Sequence, residues 1–440
     1  MLTIEQAADA LAAGTTTARA LLEESFAAVA REPLAFMVLH HEAARLAADA
    51  QDMLRKAGRA PSRYAGIPVA VKDLLDEAGQ VTRAGSTALN DAAPATADAP
   101  VVARMQAAGL VVMGRTNMVE FAFSGLGVNP HYGTPTSPYD RATGRLPGGS
   151  SSGAAVAAAD GMGFGGLGSD TGGSCRIPAA MCGVVGYKPT ASRVPLTGAT
   201  PLSFSLDSIG PIARSVGCCQ VIDGIIADAP AWHAPLPLAG LRLAVLRNYV
   251  EEGQEDAVAN AYAAALARLS AAGARLVDIR VPEIEAIPGV NATGGFAASE
   301  AWTWHHDLID RAGDRYDPRI LKRIRRGEAM TAENYVALLQ ARRNLIAAVA
   351  PQTAGFDAVL APTCPLTPPA ISAVEDEREY NRINMLLLRN TAVFNFLDRC
   401  SISIPCQRPG QAPVGLMITG EHGGDGKLFA VARTVEAALA

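Results

Sequence analysis

Cysteine and histidine occur in this chain in no arrangement that points to chemistry. The seven cysteines, at 175, 182, 218, 219, 364, 400 and 406, form no C-x-x-C pair and fall at no metal-ligand spacing. Their odd number argues against a full disulfide framework, so reduced, mostly buried thiols are expected, and neither a metal nor a cofactor. Cys175 lies beside a Gly/Ser loop, yet no histidine is placed by the sequence to activate it, and it reads as an apolar filler. Aromatic residues are scarce, at 5%, and charged residues make up 18% against 49% hydrophobic. That balance is foreign to a disordered chain and suits an Ala/Leu/Val-rich enzyme.

A strong charge of either sign is also missing. The net charge is −5 and the 38 basic residues are dispersed, which gives no footprint for a nucleic acid. The densest basic cluster, Arg319, Lys322, Arg323, Arg325 and Arg326, spreads its charges around more than one helical face and reads as a solvated helix. The first residues, Met1-Leu2-Thr3-Ile4-Glu5 with Asp9 close behind, show neither the basic nor the apolar region of a secretion signal. The longest weakly charged stretch, 146–169, is rich in Gly and Ser and broken by Asp160, so no membrane span is expected. The expected location is the cytoplasm.

What the sequence does contain is an αβ rhythm. Gly66 to Val71 is a short apolar run that reads as a buried strand ending at Lys72. From Pro100 a helix, Gly109 and a strand over Leu110–Met113 follow. Leu241–Leu246 reads as a strand, Val258, Tyr262, Leu266 and Leu269 mark a helix that Gly273 stops, and Arg275–Ile279 is the next strand. Near the N-terminus, Thr17 is a candidate N-cap for an amphipathic helix through Phe26. This alternation predicts an α/β fold, a sheet with helices on its faces, built as one domain over residues 1–440 in preference to several. The Pro-rich segments 228–237, which include Trp232, and 362–369 are read as surface crossings. The region about 285–350 is helical in composition and is expected to form a cap over the catalytic layer.

Two Gly/Ser loops stand out against this background. The first is Gly148-Gly149-Ser150-Ser151-Ser152-Gly153, and the second runs from Gly168 through Asp170-Thr171-Gly172-Gly173-Ser174 to Arg176. Glycines let backbone N–H groups converge on one point, and serines place hydroxyls beside it. Cleaving an amide takes a nucleophile, a base that later protonates the leaving amine, and donors for the oxyanion. Ser174 is the candidate nucleophile beneath an anion-binding nest of N–H groups. Lys72, desolvated at a strand end, is a candidate base. Each feature alone has a plainer reading: a capping serine, a snorkelling lysine, a flexible linker. The run Ala154–Ala159 weighs against the linker, because a helix there anchors the first loop.

Taken together, Lys72 in G-I-P-V-A-V-K-D, Ser150 in P-G-G-S-S-S-G and Ser174 in G-S-D-T-G-G-S-C-R-I-P-A-A resemble the amidase signature family, with the two serines 24 residues apart. The resemblance is strongest over about 60–215, including Asn117–Phe121 and Gly183–Thr190, and returns more weakly at Phe356–Thr363 and Pro413–Leu416. It implies a central mixed, twisted sheet covered by helices on both faces, and an amidohydrolase forming a serine acyl-enzyme. By the same resemblance Ser174 is the nucleophile, Ser150 a bridging serine on a cis peptide after Gly149, and Lys72 the terminal base. Thr171, Gly172 and Gly173, with the Ser174 N–H, are implied as the oxyanion hole. Ser151, Asp170 and Arg176 are implied as network residues, and Phe123, Ser124 and Gly125 as the loop facing the substrate. The implied partner is a small-molecule amide, and the implied assembly a homodimer.

The chain departs from the family pattern at Ser152, where Gly is usual, at Cys175, where an apolar residue is usual, and at Leu397-Asp398-Arg399-Cys400-Ser401. The last departure bears on pocket shape. Three other readings compete. Gly149–Gly153 satisfies the G-x-S-x-G elbow of α/β-hydrolase esterases with Ser151 as nucleophile, but Pro147 stands where a strand is needed, and His305, His306 or His422 has to serve as base. The same motifs resemble the glutaminase-type component of a glutamyl-tRNA amidotransferase, which works within a multi-protein complex. An inactive binding protein on this fold is the third.

Overall fold

The computed structural model describes residues 1–231 and 233–440; Trp232 lies outside the described residues. Its strands are β1 (Phe36–Leu39), β2 (Pro68–Lys72), β3 (Val111–Thr116), β4 (Gly165–Ser169), β5 (Val185–Lys188), β6 (Ile209–Ala213), β7 (Arg242–Leu246), β8 (Arg275–Ile279), β9 (Ala358–Pro362), β10 (Ser401–Pro405) and β11 (Gly415–Thr419). They form one eleven-stranded mixed sheet in the order β1-β3-β2-β4-β6-β5-β10-β11-β9-β7-β8. Strand β2 is parallel to both β3 and β4, and β7 is parallel to β8 and β9. The centre, from β4 through β11, is antiparallel.

Both faces of the sheet are covered, and β2 shows why its sequence has no polar alternation. Val69 and Val71 join a core with Val101, Val102, Ile222 and Val431 from helices on one side. Ala70, pointing the other way, joins a core with Leu22, Ala48 and the Ala154–Ala158 run. Every β2 residue is therefore buried, as a strand covered on both faces requires. The helix Ser152–Asp160 buries all but Ala159, and its small side chains let it lie close to the strands.

The expected N-terminal helix is present as Ala18–Ala28, with Thr17 accepting from the Ala20 N–H. The helix Asp256–Ala271 lies between β7 and β8 as anticipated. The expected strand over Leu110–Met113 is instead Val111–Thr116. Its polar end looked like a strand terminus, but Arg115 is fully buried and held by Asp73 at 2.8 Å and Glu77 at 3.0 Å. A neutralised arginine can thus continue a buried strand. The stretch 285–350 holds the helices Gly295–Ala312, Pro318–Arg325 and Ala332–Thr353. Among the described residues no helix is long and apolar enough to cross a membrane.

Candidate active site

Strands β2 and β4 run side by side in parallel, with Ala70 opposite Gly166 and Val71 opposite Leu167. Their C-terminal ends therefore emerge together, and this brings Lys72 and Ser169 to one point. Lys72 is fully buried, and its Nζ donates to Ser150 Oγ at 2.7 Å, Ser169 Oγ at 2.8 Å and Ser151 Oγ at 2.9 Å. No carboxylate lies within ion-pair distance of it among the described residues. Burial with only hydroxyls for company pulls its pKa down from 10.5 to about 7, since the charged form loses its hydration.

The first Gly/Ser loop delivers the two hydroxyls from Ser150 and Ser151. The Gly149–Ser150 peptide is cis, and the loop is tied down by Val119 N–H to Ser150 O at 3.1 Å and Gly149 N–H to Gly125 O at 2.8 Å. Ser151 Oγ also donates to Ser169 O at 3.3 Å, and the Ser151 N–H donates to Ser174 O at 3.3 Å. That last contact stitches the two loops together.

The second loop is shaped by a buried ion pair. Arg176 Nε and Nη2 reach Asp170 Oδ2 and Oδ1 at 3.0 and 2.9 Å, and Asn395 bridges both partners. Burial pushes the Asp170 carboxyl up, but Arg176 outweighs it and holds the pKa at about 2. Asp170 also accepts the N–H groups of Gly173 at 2.8 Å and Cys175 at 3.1 Å. Gly173 therefore spends its N–H on the loop itself. The N–H groups of Thr171, Gly172 and Ser174 have no acceptor among the described residues, so these three, and not Gly173, are free to hold an anion. Thr171 Oγ1 donates to Asp207 at 2.5 Å, and Thr391 Oγ1 donates to Gly172 O at 2.6 Å. Burial pushes Asp207 up to about 6.

Ser174 lies at the wall of a cavity of about 460 Å³, with Thr171, Gly172, Phe123 and Ser124 beside it. Its hydroxyl makes no hydrogen bond to Ser150 among the described residues, so the two serines are brought close through their loops without being joined at Oγ. Gly125 is not part of the wall; its N–H donates to Asn384 Oδ1 at 2.8 Å behind it. A smaller cavity of about 290 Å³ touches Ser169, Thr171 and Asp207 but not Ser174.

Sequence reading missed part of this site. Ser169, Asp207, Thr391 and Asn395 support the loops from four different segments. The basic cluster read as solvated is in fact divided: Arg319, Lys322, Arg323 and Arg326 line the large cavity. Its only sequence signal was basic residues spaced three or four apart, which mark one helical face as readily as they mark solvent exposure. The departure at 397–401 contributes nothing to this cavity, whose lining ends at Phe396. The esterase alternative loses its base, because His305, His306 and His422 bond to Tyr316, to the Trp302 and Thr303 carbonyls, and to Asp398. All seven cysteines are free and buried, and no cluster of three or more His, Cys, Asp or Glu among the described residues can hold a metal.

Comparison with known proteins gives the same picture across the chain. The Amidase family model matches residues 20–429. A 2-amino-5-chloromuconic acid deaminase from Comamonas testosteroni is 36% identical, over 90% of this chain and 86% of its own. The 1-carboxybiuret hydrolase AtzE from Pseudomonas sp. is 35% identical, over 82% of this chain and 81% of its own, and a glutamyl-tRNA(Gln) amidotransferase component from Chloroflexus aggregans is 35% identical, over 95% and 92%. A crystal structure of an amidase superposes with a TM-score of 0.92 at 31% identity, covering all of both chains. With a buried lysine among serines at the strand ends and a family match over nearly its whole length, the chain belongs to the amidase signature family, as an amidohydrolase acting on C–N bonds.

Proposed function

We propose that the protein hydrolyses a small-molecule carboxylic amide through an ester of Ser174, using Lys72 as the base and Ser150 as the bridge. The observation that carries this is Lys72 itself: a fully buried amine whose company is three serine hydroxyls and whose pKa is about 7. A neutral amine there accepts the Ser150 proton while Ser150 takes the proton of Ser174, and Ser174 Oγ attacks the carbonyl carbon. The Ser174–Ser150 bond closes when substrate occupies the cavity, as catalytic hydrogen bonds often tighten only in the substrate complex. The oxyanion is received by the N–H groups of Thr171, Gly172 and Ser174.

The proton then returns along Ser150 to the leaving nitrogen, the C–N bond breaks, and ammonia or an amine departs. Water gives a proton to the same relay, attacks the ester carbonyl and releases the acid, restoring Ser174. Ser151 and Ser169 orient Lys72, and Asp170, Arg176 and Asp207 fix the loop that carries the donors. Family resemblance alone supports a homodimer in the cytoplasm, and sizing of the purified protein checks the former.

Labelling with a fluorophosphonate, followed by mass spectrometry of the modified peptide, tests the assignment. Modification of Ser174, and its loss together with amide hydrolysis in Ser174→Ala, is the expected result; full activity in Ser174→Ala overturns it. Glutaminase action within a larger complex is a second reading, favoured by the 35% identical amidotransferase relative. Ammonia released from glutamine only after a partner protein is added would select it.

A further inference from the structure

The helix Pro318–Arg325 and its C-cap Arg326 turn four basic side chains onto the cavity that holds Ser174. Two of them already have counter-charges. Arg319 is paired with Asp317 at 2.9 Å, and Lys322 with Glu377 at 2.6 Å. Arg323 is not paired: its guanidinium donates to Phe123 O at 2.7 Å and Asn381 Oδ1 at 3.1 Å and lies 5.2 Å from the Tyr380 ring centre. All three are neutral partners, and no carboxylate lies within ion-pair reach of Arg323 or Arg326 among the described residues.

Two of the five guanidinium N–H groups of Arg323 are used, so three remain. Burial disfavours its charge, but a guanidinium stays protonated at any working pH, so a permanent, partly desolvated positive charge faces the cavity. The surrounding wall offers it nothing negative except Glu377, already held by Lys322; Phe123, Met385 and Leu388 are apolar and Asn384 is neutral. A partly buried cation without a counter-ion is unfavourable on its own account. The missing negative charge belongs to whatever fills the cavity.

We propose that Arg323, with Arg326 at the rim, binds a carboxylate on the acyl part of the substrate, so that the natural substrate is an amide of a molecule that also carries a free carboxylate. A planar guanidinium matches a carboxylate in two parallel hydrogen bonds, and the apolar wall accommodates the carbon chain between that carboxylate and the scissile amide. This inference rests on the reading of Ser174 as the reacting group.

The test is hydrolysis of matched pairs that differ only in the terminal carboxylate: succinamate against butyramide, glutaramate against valeramide, adipamate against hexanamide. In at least one pair the acid should be preferred by ~10²-fold or more in kcat/KM, the kind of discrimination a polar site exerts against a substrate lacking its partner. Arg323→Met should collapse that ratio towards one, chiefly through the KM of the acid, and Arg323→Lys should restore part of it. A purely structural role for Arg323 lowers both members of a pair alike and leaves the ratio unchanged, which overturns the proposal, as does a wild-type ratio of one or less. Calorimetric titration of glutarate into Ser174→Ala protein gives a reading independent of turnover: saturable binding lost on adding Arg323→Met supports the subsite, and no binding overturns it. Fluorophosphonate labelling separates the two failures. Labelled Ser174 with no carboxylate preference sinks the subsite alone, whereas an unlabelled Ser174 sinks the hydrolase reading beneath it.

Discussion

Lys72 Nζ lies 2.7 Å from Ser150 Oγ inside a ring of hydroxyls that holds no carboxylate. Hydroxyls donate to a neutral amine and accept from a charged one, so they tolerate both states, and burial tips the balance to a pKa of about 7. Because the neutral amine is the base, kcat/KM should rise with pH through about 7 and level off above it. Lys72→Met should abolish that limb along with the activity, and Lys72→Arg, permanently charged, should be no better. A pH–rate profile of wild type and both variants checks this.

The same lowered pKa sets a stability trend of opposite use. Between about 7 and 10.5 the unfolded chain holds a proton that the folded chain has released, so stability climbs with pH across that window, and the cost of burying the ammonium is fully felt below it. Lys72→Met removes the cost. Its Tm should therefore exceed that of wild type most at about pH 6 and least near pH 10, as read by thermal unfolding in matched buffers.

Arg176→Met should leave the Asp170 carboxylate buried without its partner. Breaking one side of a buried ion pair typically costs ~3–5 kcal/mol, read here as a drop in urea midpoint. Activity should fall further than stability, because Asp170 also holds the Gly173 and Cys175 N–H groups. Asp170→Asn combined with Arg176→Met should recover part of the stability and little of the activity.

Gly173→Ala tests the loop from its other side. A Cβ there collides with Thr391 Oγ1 and meets Ile177 Cδ1 at 2.7 Å, at a φ of +134° that disfavours any side chain. The expected cost is ~1–3 kcal/mol of stability with a fall in kcat out of proportion to it. Removing the obstructing hydroxyl in Gly173→Ala/Thr391→Val should leave kcat low, because the backbone strain remains.

The thiols should be silent. Burial pushes the Cys175 thiol far above its ordinary pKa, and a thiol that does not ionise does not react. A disulfide reagent should find no fast-reacting group in the native protein and seven after denaturation. Cys175→Ala should keep its amidase activity, which checks that the residue is a filler beside the nucleophile.

The parts of the site legible in the sequence were those whose meaning is local. Lys72 ends an apolar run, Ser150 and Ser174 sit in glycine loops, and a helix-forming alanine run follows the first loop. Each is read within about ten residues. Ser169, Asp207, Thr391 and Asn395 act across the sheet, where partners are 36 to 225 residues apart, and no spacing rule reaches that far. The basic helix failed for another reason. Its pattern sets only which residues share a face, and whether that face meets water or a cavity is decided by the helix Glu377–Phe396 packed beside it. Strand β3 was cut short because Arg115 and Thr116 are polar, although Asp73 and Glu77 neutralise the arginine.

The two walls of the large cavity come from different stretches of chain. Residues 122–206 bring Phe123, Ser124, Thr171, Gly172 and Ser174, while residues 287–396 bring Phe296, Arg319, Arg323, Asn384 and Leu388. Reaction and recognition are thus written in separate halves of the chain. A descendant can exchange arginines for apolar residues in the second half and take up a new compound, while every atom that moves a proton stays where it was. Diversification of this kind needs no intermediate that has lost its chemistry, only one whose preference has broadened.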